Sequence, residues 1–336
     1  MIAGQSLAVV AAALLAASSA APEPGAARHE EARYLMGTLA VVQARAADAP
    51  RAEAAVAAAW AAMVRVDSLM STWRDDSDLA RVNAGAAAAP VAVDPETAAV
   101  VAAALDMAAA SAGAFDPTML PLMRAWGLRG DGPARAPGAA DLAAVLSVTG
   151  ARLVSVDTAA STIALDRPGV ELDLGGIAKG HALDAAAAAM RAAGADGGLL
   201  DLGGNLLAFG SAAGDSVAVV APDAPDRILA TLAFGAGAVA TSGQYERFVT
   251  IDGQPHGHIL DPRNGRPVPR LGSVTVTAPS GRLADALATA VFVLGPEQGM
   301  ALAARYAGTT CLIVASDGEG GWSILRSAAP GAARSR

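Results

Sequence analysis

The sequence predicts an α+β fold, in which helices pack on mostly antiparallel or mixed sheets. Alanine-rich helical patterns come first, strand patterns dominate residues 152–278, and helical patterns return from 283 to about 306. Because strands and helices do not alternate one by one, a doubly wound parallel sheet is not expected. The 336 residues fit one large domain or two intimate ones.

The composition excludes several classes of function. The formal charge of -8 argues against nonspecific nucleic-acid binding, which needs a basic face. The single cysteine, Cys311, rules out an intrachain disulfide and a cysteine-based zinc site, and its strand-like apolar run predicts a buried structural thiol. No G-x-S-x-G elbow and no G-x-G-x-x-G after the first strand are present, which disfavours a serine hydrolase and a Rossmann dinucleotide site.

The amino terminus has the pattern of an export signal. An apolar run over 7–17 is followed by small residues that suit signal peptidase, and then by a Pro/Gly/Ala segment. We therefore expect a cleaved signal peptide over 1–21, a linker over 22–32 and a periplasmic protein. The first residues carry no Lys or Arg, so an uncleaved anchor is the alternative, whereas the absence of a following cysteine excludes a lipoprotein anchor. The folded domain is expected over 33–327, before a disordered tail at 328–336.

The first half of the chain reads as strand, helix, loop and helix. Residues 34–43 predict the first strand, 51–69 a helix apolar on most faces, and 71–78 a polar loop. A second helix is predicted over 95–112, with Asp94 as its cap and Pro95 in its first turn.

The second half is mostly strand. Residues 153–156 and 162–165 predict a hairpin, and Asp252-Gly253 is a strong turn signal. Residues 240–247 are expected to form a polar loop between strands, and 202–205 a plain turn. Further strands are predicted at 199–202, 216–220, 228–234, 247–251, 256–260, 273–278, 310–315 and 322–326. Helices are predicted over 283–293 and from 296 to about 306.

Residues 171–184 are the stretch most suggestive of a ligand site. Glu171 and Asp173 alternate with leucines as in a strand, two glycines follow, and a helix then runs from 177 to 191. Lys179 lies in its first turn, beside free amide donors that favour an anion, which suits a phosphorylated ligand. An ordinary strand-turn-helix with a solvated lysine is the alternative.

Two further patterns suggest chemistry. Asp285 and Thr289 are four residues apart on one helix face, and their oxygens suit Mg²⁺, although a solvated acid and a filler threonine are the alternative. His258 lies at a strand end and is a candidate general base, although a structural histidine is the alternative. His256 and His258 are not expected to bind a metal, because no third His or Cys ligand is near.

Taken in order, these motifs resemble the ApbE family, the FAD:protein FMN transferases, from about residue 33 to 327. The blocks that carry the resemblance are 36–38 (Met-Gly-Thr), 71–73, 77–83, 114–118 (Ala-Phe-Asp-Pro-Thr), 126–127, 173–180, 202–204, 241–243, 245–247, 258–262 and 284–289.

The resemblance implies a Mg²⁺-dependent enzyme that binds FAD in a cleft between two intimate subdomains. It would join FMN through its phosphate to a Thr or Ser hydroxyl of an acceptor protein and release AMP. His258, Lys179 and Asp285 would be catalytic, with His258 assisting the acceptor. The FAD site would be lined by Met36, Trp73, Ala114, Phe115, Asp116, Asp173, Lys179 and Ile259. The metal would be held by the Gly176 carbonyl and the side chains of Asp285 and Thr289.

The sequence departs from the family at two points and leaves alternatives open. Trp73 stands where the family usually has tyrosine, and its indole can still stack on a purine. The lipobox cysteine of many exported members is missing. Hydrolysis of FAD to FMN and AMP and a non-catalytic FAD-binding protein remain alternatives. Export suggests a membrane redox complex or a respiratory maturation partner as acceptor, with no transmembrane segment in the mature chain.

Overall fold

A computed structural model describes residues 27–130, 135–212, 215–244, 248–251, 253–268, 271–319 and 321–327. The expected signal peptide, the expected tail at 328–336, the 245–247 block and Asp252 of the predicted turn lie outside the described residues. Within the described part of the chain, no helix is long and apolar enough to cross a membrane.

The five predicted helices are present, whereas the three shorter helices α2, α4 and α5 were not predicted. Asp48 caps the first long helix by accepting a hydrogen bond from the Arg51 amide at 2.9 Å. Asp94 caps the third as predicted, at 2.9 Å from the Glu96 amide, with Pro95 in the first turn. The helices are α1 Ala49–Met70, α2 Asp78–Gly85, α3 Pro95–Ala110, α4 Leu120–Ala125, α5 Ala139–Leu146, α6 Ala178–Ala192, α7 Gly281–Leu294 and α8 Pro296–Ala303.

The strands form one large antiparallel sheet and several small ones. They are β1 Ala27–Leu35, β2 Thr38–Ala46, β3 Val91–Ala92, β4 Val154–Asp157, β5 Thr162–Leu165, β6 Gly197–Leu202, β7 Asn205–Gly210, β8 Asp215–Ala221, β9 Ala224–Phe234, β10 Gly237–Gly243, β11 Phe248–Ile251, β12 Gln254–Gly257, β13 Leu260–Asp261, β14 Arg266–Pro267, β15 Leu271–Ala278, β16 Thr310–Ser316 and β17 Trp322–Arg326. The large sheet has the order β1-β2-β6-β7-β10-β15-β16-β17, and each neighbouring pair is antiparallel. The α+β prediction is confirmed.

The main core lies between the large sheet and its helices. Helix α6 packs between α1 and α7, and their apolar faces cover one side of the sheet. The β8–β9 hairpin places Phe234 and Leu232 against the other side. A smaller apolar cluster around Trp126 and Leu260 joins α4 and α5 to the short strands that follow β10.

The predicted first strand is instead a hairpin. Its two central turn residues, Met36 and Gly37, have φ of 49° and 75°, the backbone of a tight two-residue connection. Strand β1 begins at Ala27, so it occupies the second half of the expected linker. Because apolar alternation continues through the turn, the pattern alone does not reveal it.

Residues 171–174, predicted as a strand, join no sheet. The Asn83 side chain accepts from the Leu172 amide at 2.7 Å and donates to its carbonyl at 3.0 Å, as a neighbouring strand would. The Asp173 amide donates to the Pro117 carbonyl at 2.7 Å. The strand prediction was therefore wrong, because a side chain and a loop supply the hydrogen bonds of a ladder.

The turn predicted over 202–205 is confirmed, because Gly203 and Gly204 connect β6 to β7 and Leu202 pairs with Asn205. The loop predicted over 240–247 is wrong for residues 240–243, which belong to β10. Their polar and glycine residues are tolerated because β10 lies inside the large sheet, where pairing supplies the backbone partners. As a result, Ser242 stands on a strand beside α7.

Candidate active site

The start of α6 binds an anion, and that anion is Asp285 of the protein itself. Its Oδ2 accepts from the Gly180 amide at 2.9 Å, and its Oδ1 lies 3.7 Å from Lys179 Nζ. The Ala178 amide donates to the Leu174 carbonyl, so the donors predicted to be free are partly used. The carboxylate is buried, and this helix start therefore fixes Asp285 next to Lys179.

A second carboxylate joins the same two helices farther along α6. Asp184 accepts from the Gly281 and Arg282 amides at 2.7 and 2.9 Å and so caps the start of α7. Burial raises the pKa of Asp184, and the two amide donors oppose that shift. Asp184 and Asp285 thus hold α6 and α7 together from opposite helices.

Oxygen atoms from three segments meet one turn along α7 from Asp285. Thr289 Oγ1 donates to the Asp285 carbonyl at 3.3 Å and lies 3.4 Å from Ser242 Oγ on β10. A Cβ added to Gly176 would lie 3.4 Å from Thr289 Oγ1, so the Gly176 backbone borders the same place. Asp285, Thr289 and Gly176, predicted as one metal site, are therefore neighbours.

These groups fit Mg²⁺ by their chemistry. A carboxylate, two hydroxyls and a main-chain carbonyl are hard oxygen donors, and Mg²⁺ uses few protein ligands while keeping water and phosphate in its other positions. Among the described residues, no group of three or more His, Cys, Asp or Glu side chains could hold a metal ion. With few protein ligands of hard oxygen type, the donor set suits an ion shared with a phosphate.

Asp173 anchors a second polar group. Its Oδ2 accepts from Arg129 Nη2 at 2.5 Å and from Thr72 Oγ1 at 3.2 Å, while its Oδ1 accepts from the Gly175 amide at 2.7 Å. The Arg129 guanidinium lies 4.2 Å from the centre of the Trp73 ring. Residues 173–180 join this group to the Asp285 group over a short stretch of backbone.

Met36 lies at the tip of the β1–β2 hairpin. Its φ of 49° is uncommon for a residue with a side chain and marks a backbone held by its surroundings. A Cβ on Gly203 would lie 2.7 Å from Thr38, so the β6–β7 turn packs on this hairpin. Burial raises the pKa of Asp201, beside that turn, against a hydrogen bond from the Gly204 amide.

The 114–118 segment is held mainly by Asp116. Its Oδ1 accepts from Thr118, and its Oδ2 accepts from the Ala151 amide at 2.8 Å. Ala114 and Phe115 are buried, and the Phe115 ring would be 3.1 Å from a Cβ on Gly176. This segment therefore forms a wall behind the glycines, with the Asp116 carboxylate bonded to the protein.

His258 lies between β12 and β13. It is half-buried, and the next residue, Ile259, is buried with its carbonyl accepting from the Val268 amide at 3.1 Å. A Cβ on Gly257 would lie 2.7 Å from the Gln244 side chain, two residues beyond Ser242. The histidine segment thus packs next to the end of β10.

The structure joins some predicted residues directly and leaves others on neighbouring segments. Met36, Asp116 and Ile259 are not hydrogen-bonded to the Asp285 or Asp173 groups within the part of the chain that the structure describes. Sequence reasoning missed Ser242 and Arg129 as site residues. Ser242 lies in a noted motif, whereas nothing in the pattern around Arg129 indicates its long-range contacts.

The fold and the site together define a class of protein: an antiparallel α+β scaffold with a lysine-carboxylate-hydroxyl group beside a glycine-rich turn. The ApbE family profile matches residues 36–313. A Treponema pallidum protein named FAD:protein FMN transferase is 35% identical over 309 residues, covering 86% of this chain and 85% of its own. A Vibrio cholerae protein of the same name is 33% identical over 258 residues, covering 75% and 77%.

Solved structures give the same assignment. The apo Pseudomonas stutzeri flavinyl transferase ApbE has a TM-score of 0.78 and 31% identity, covering 90% of this chain and 95% of its own. The ApbE protein of Thermotoga maritima has a TM-score of 0.79 and 31% identity, covering 90% and 97%. The chain belongs to the ApbE family.

Proposed function

We propose that the protein is a Mg²⁺-dependent FAD:protein FMN transferase, which attaches FMN to a Thr or Ser hydroxyl of an acceptor protein. The observation that carries the proposal is that the Lys179–Asp285 pair at the start of α6 lies next to the Thr289 and Ser242 hydroxyls, one turn along α7. Members of the family bearing the transferase name match most of the chain. FAD is the substrate class that this name implies.

The reaction breaks the phosphoanhydride bond of FAD and forms a phosphoester bond to the acceptor. The acceptor oxygen forms a bond to the FMN phosphorus, the bond to the bridging oxygen of AMP breaks, and AMP leaves with that oxygen. His258 takes the hydroxyl proton as general base. Lys179 stabilises negative charge on the diphosphate. Bound Mg²⁺ would supply Lewis-acid polarisation of the phosphates, held by Asp285, Thr289 and the Gly176 carbonyl.

The remaining predicted residues bind the rest of the dinucleotide. Trp73 offers an exposed ring for stacking, and Phe115 of the 114–116 segment borders the glycine-rich turn. Met36 and Ile259 are assigned to the FAD site by the family resemblance. Hydrolysis of FAD by the same groups is the second candidate, because water can take the position of the acceptor hydroxyl.

The test is an incubation of the protein with FAD and Mg²⁺, with and without an acceptor protein. Transfer predicts AMP release that requires the acceptor and a mass increase of one FMN on it. AMP release without acceptor would assign hydrolysis, and FAD binding without AMP release would contradict both enzymatic functions.

Asp285→Asn is the informative variant, and Asp184→Asn is its matched control. Both carboxylates accept backbone hydrogen bonds between α6 and α7, but only Asp285 faces Lys179. We expect Asp285→Asn to lose at least about 100-fold in AMP release. Asp184→Asn should lower stability and keep turnover. If Asp285→Asn released AMP as fast as Asp184→Asn and the unaltered protein do, Asp285 would have no part in the mechanism.

We also propose that the protein is exported, with an acceptor in a membrane redox complex or a respiratory maturation system. The apolar run at 7–17 and the small residues after it support this proposal. Cell fractionation should find the mature chain in the periplasm, starting near residue 22. A full-length chain in the cytoplasm would contradict it.

A further inference from the structure

Arg129 makes three contacts at once with groups from two other segments. Its Nη2 lies 2.5 Å from Asp173 Oδ2 and 2.8 Å from Thr72 Oγ1, and its guanidinium lies over the Trp73 ring at 4.2 Å. The Arg129 and Asp173 side chains are 13% and 7% exposed. An ion pair so screened from water restrains its partners more than a surface pair does.

The contact with Trp73 occupies one face of the indole. Trp73 is 71% exposed although a guanidinium covers part of it, so a large ring surface stays open to solvent. Tryptophan is the aromatic residue that binds cations best. Restraining an aromatic platform before a ligand stacks on it lowers the entropy lost on binding.

The ion pair also leaves Asp173 able to bind more. Its Oδ2 receives two donors, but its Oδ1 receives only the Gly175 amide among the described residues. Oδ1 therefore keeps acceptor capacity for a further donor while Arg129 stays in place. Arg129 thus holds both partners, while Trp73 keeps an exposed ring and Asp173 keeps an acceptor atom with capacity left.

We propose that Arg129 is a positioning residue for the dinucleotide, which orients Trp73 for ring stacking and Asp173 for hydrogen bonding. This inference rests on the proposed function, because it needs FAD to be the ligand. Arg129 acts through those two side chains, so its loss should weaken FAD binding while the chemical step is preserved.

The experiment measures the FAD dissociation constant of the full-length protein in EDTA, by quenching of flavin fluorescence. Arg129→Ala should raise the dissociation constant about fivefold to tenfold, and Arg129→Lys should fall between it and the unaltered protein. In the Trp73→Ala background, Arg129→Ala should raise the dissociation constant by at most about half as much, because Arg129 can then act only through Asp173. With acceptor and Mg²⁺, KM for FAD should rise with kcat nearly unchanged.

Arg124→Ala is the matched control. Arg124 pairs with Glu171, two residues before Asp173, and its side chain is half exposed. Its substitution therefore removes a positive charge near Asp173 and leaves the Arg129–Trp73 contact in place. Its FAD affinity should match that of the unaltered protein. Unchanged affinity in Arg129→Ala would overturn the inference, and tighter binding would show that Arg129 competes with the ligand. If the unaltered protein binds no FAD either in EDTA or with Mg²⁺, the proposed function fails instead.

Discussion

Ser242 borders the proposed Mg²⁺ site without being one of its three proposed ligands. It lies 3.4 Å from Thr289 Oγ1, close enough to orient that hydroxyl. Groups in this position typically affect metal affinity 10- to 100-fold. We expect Ser242→Ala to raise the Mg²⁺ concentration for half-maximal AMP release about tenfold, with much of the maximal rate retained.

The neighbouring hydroxyl provides the control for Ser242. Thr241 points to the opposite face of β10, where its Oγ1 lies 3.0 Å from that of Thr275. Thr241→Val therefore removes a hydroxyl from the same strand and should leave the Mg²⁺ requirement unchanged. A Mg²⁺ titration in which both variants match the unaltered protein would place Ser242 outside the site.

Cys311 makes stability depend on pH at the alkaline end. It is fully buried in β16, and burial raises its pKa from 9.0 to about 12. Above pH 9 the unfolded chain loses the thiol proton while the folded chain keeps it, so rising pH favours unfolding. The free energy of unfolding should fall by about 1.4 kcal/mol per pH unit between pH 9 and 12 from this group.

Other residues titrate in the same pH range. The contribution of Cys311 to the free energy of unfolding is therefore obtained by comparing the unaltered protein with Cys311→Ala. Urea unfolding of the unaltered protein and of Cys311→Ala should be compared at pH 8, 9, 10 and 11. The variant lacks the thiol, and its stability deficit should narrow as pH rises above 9. A constant deficit would show that the folded-state thiol ionises as freely as in the unfolded chain.

At the scale of elements, the site depends on how closely α6 approaches α7. A Cβ on Gly180 would lie 2.8 Å from Asp285 Cβ and closer still to the Gly281 carbonyl, so only glycine permits this approach. Gly180→Ala should cost about 3 kcal/mol in the free energy of unfolding, because backbone must move to admit the methyl group. It should also weaken the Gly180–Asp285 hydrogen bond and lower AMP release.

Gly85→Ala separates the effect of close approach from that of glycine in a helix. Gly85 ends α2, and a Cβ there would meet Val91 at an ordinary 3.5 Å. Its stability should change by no more than about 1 kcal/mol, since only backbone entropy differs. If urea denaturation gave Gly180→Ala and Gly85→Ala the same free energy of unfolding, α6 and α7 could separate without loss of stability.

Features of the fold that depend on neighbouring residues could be predicted from the sequence. Features that depend on residues far away in the chain could not. Asp94 and Pro95 mark the start of α3, because one caps the helix and the other fits its first turn. In the same way, the glycine pair before α6 predicts that Lys179 lies in the first turn of that helix. The alternating pattern of residues 171–174 predicts a strand, but the hydrogen bonds of Leu172 go to the side chain of Asn83, which is far away in sequence. Arg129 reaches Asp173 in the same way, and no spacing rule indicates it.

At the scale of the whole molecule, the outermost strand of the large sheet tests where the folded domain begins. Strand β1 pairs with β2 along its full length, from Ala27 opposite Ala46 to Leu35 opposite Thr38. Arg33 lies over the Trp60 ring of α1 at 4.8 Å, so β1 also contacts the helical layer. A chain starting at residue 27 should therefore keep the melting temperature and FAD affinity of the full-length protein.

A chain starting at residue 36 would lack β1 and should behave differently. Strand β2 would become the sheet edge, with unpaired backbone groups open to association with other chains. Its melting temperature should fall by roughly 5 °C or more, and its tendency to aggregate should rise. Differential scanning calorimetry and light scattering on the two shortened chains test this prediction. Equal melting temperatures would mean that residues 27–32 are a linker, as the sequence predicts.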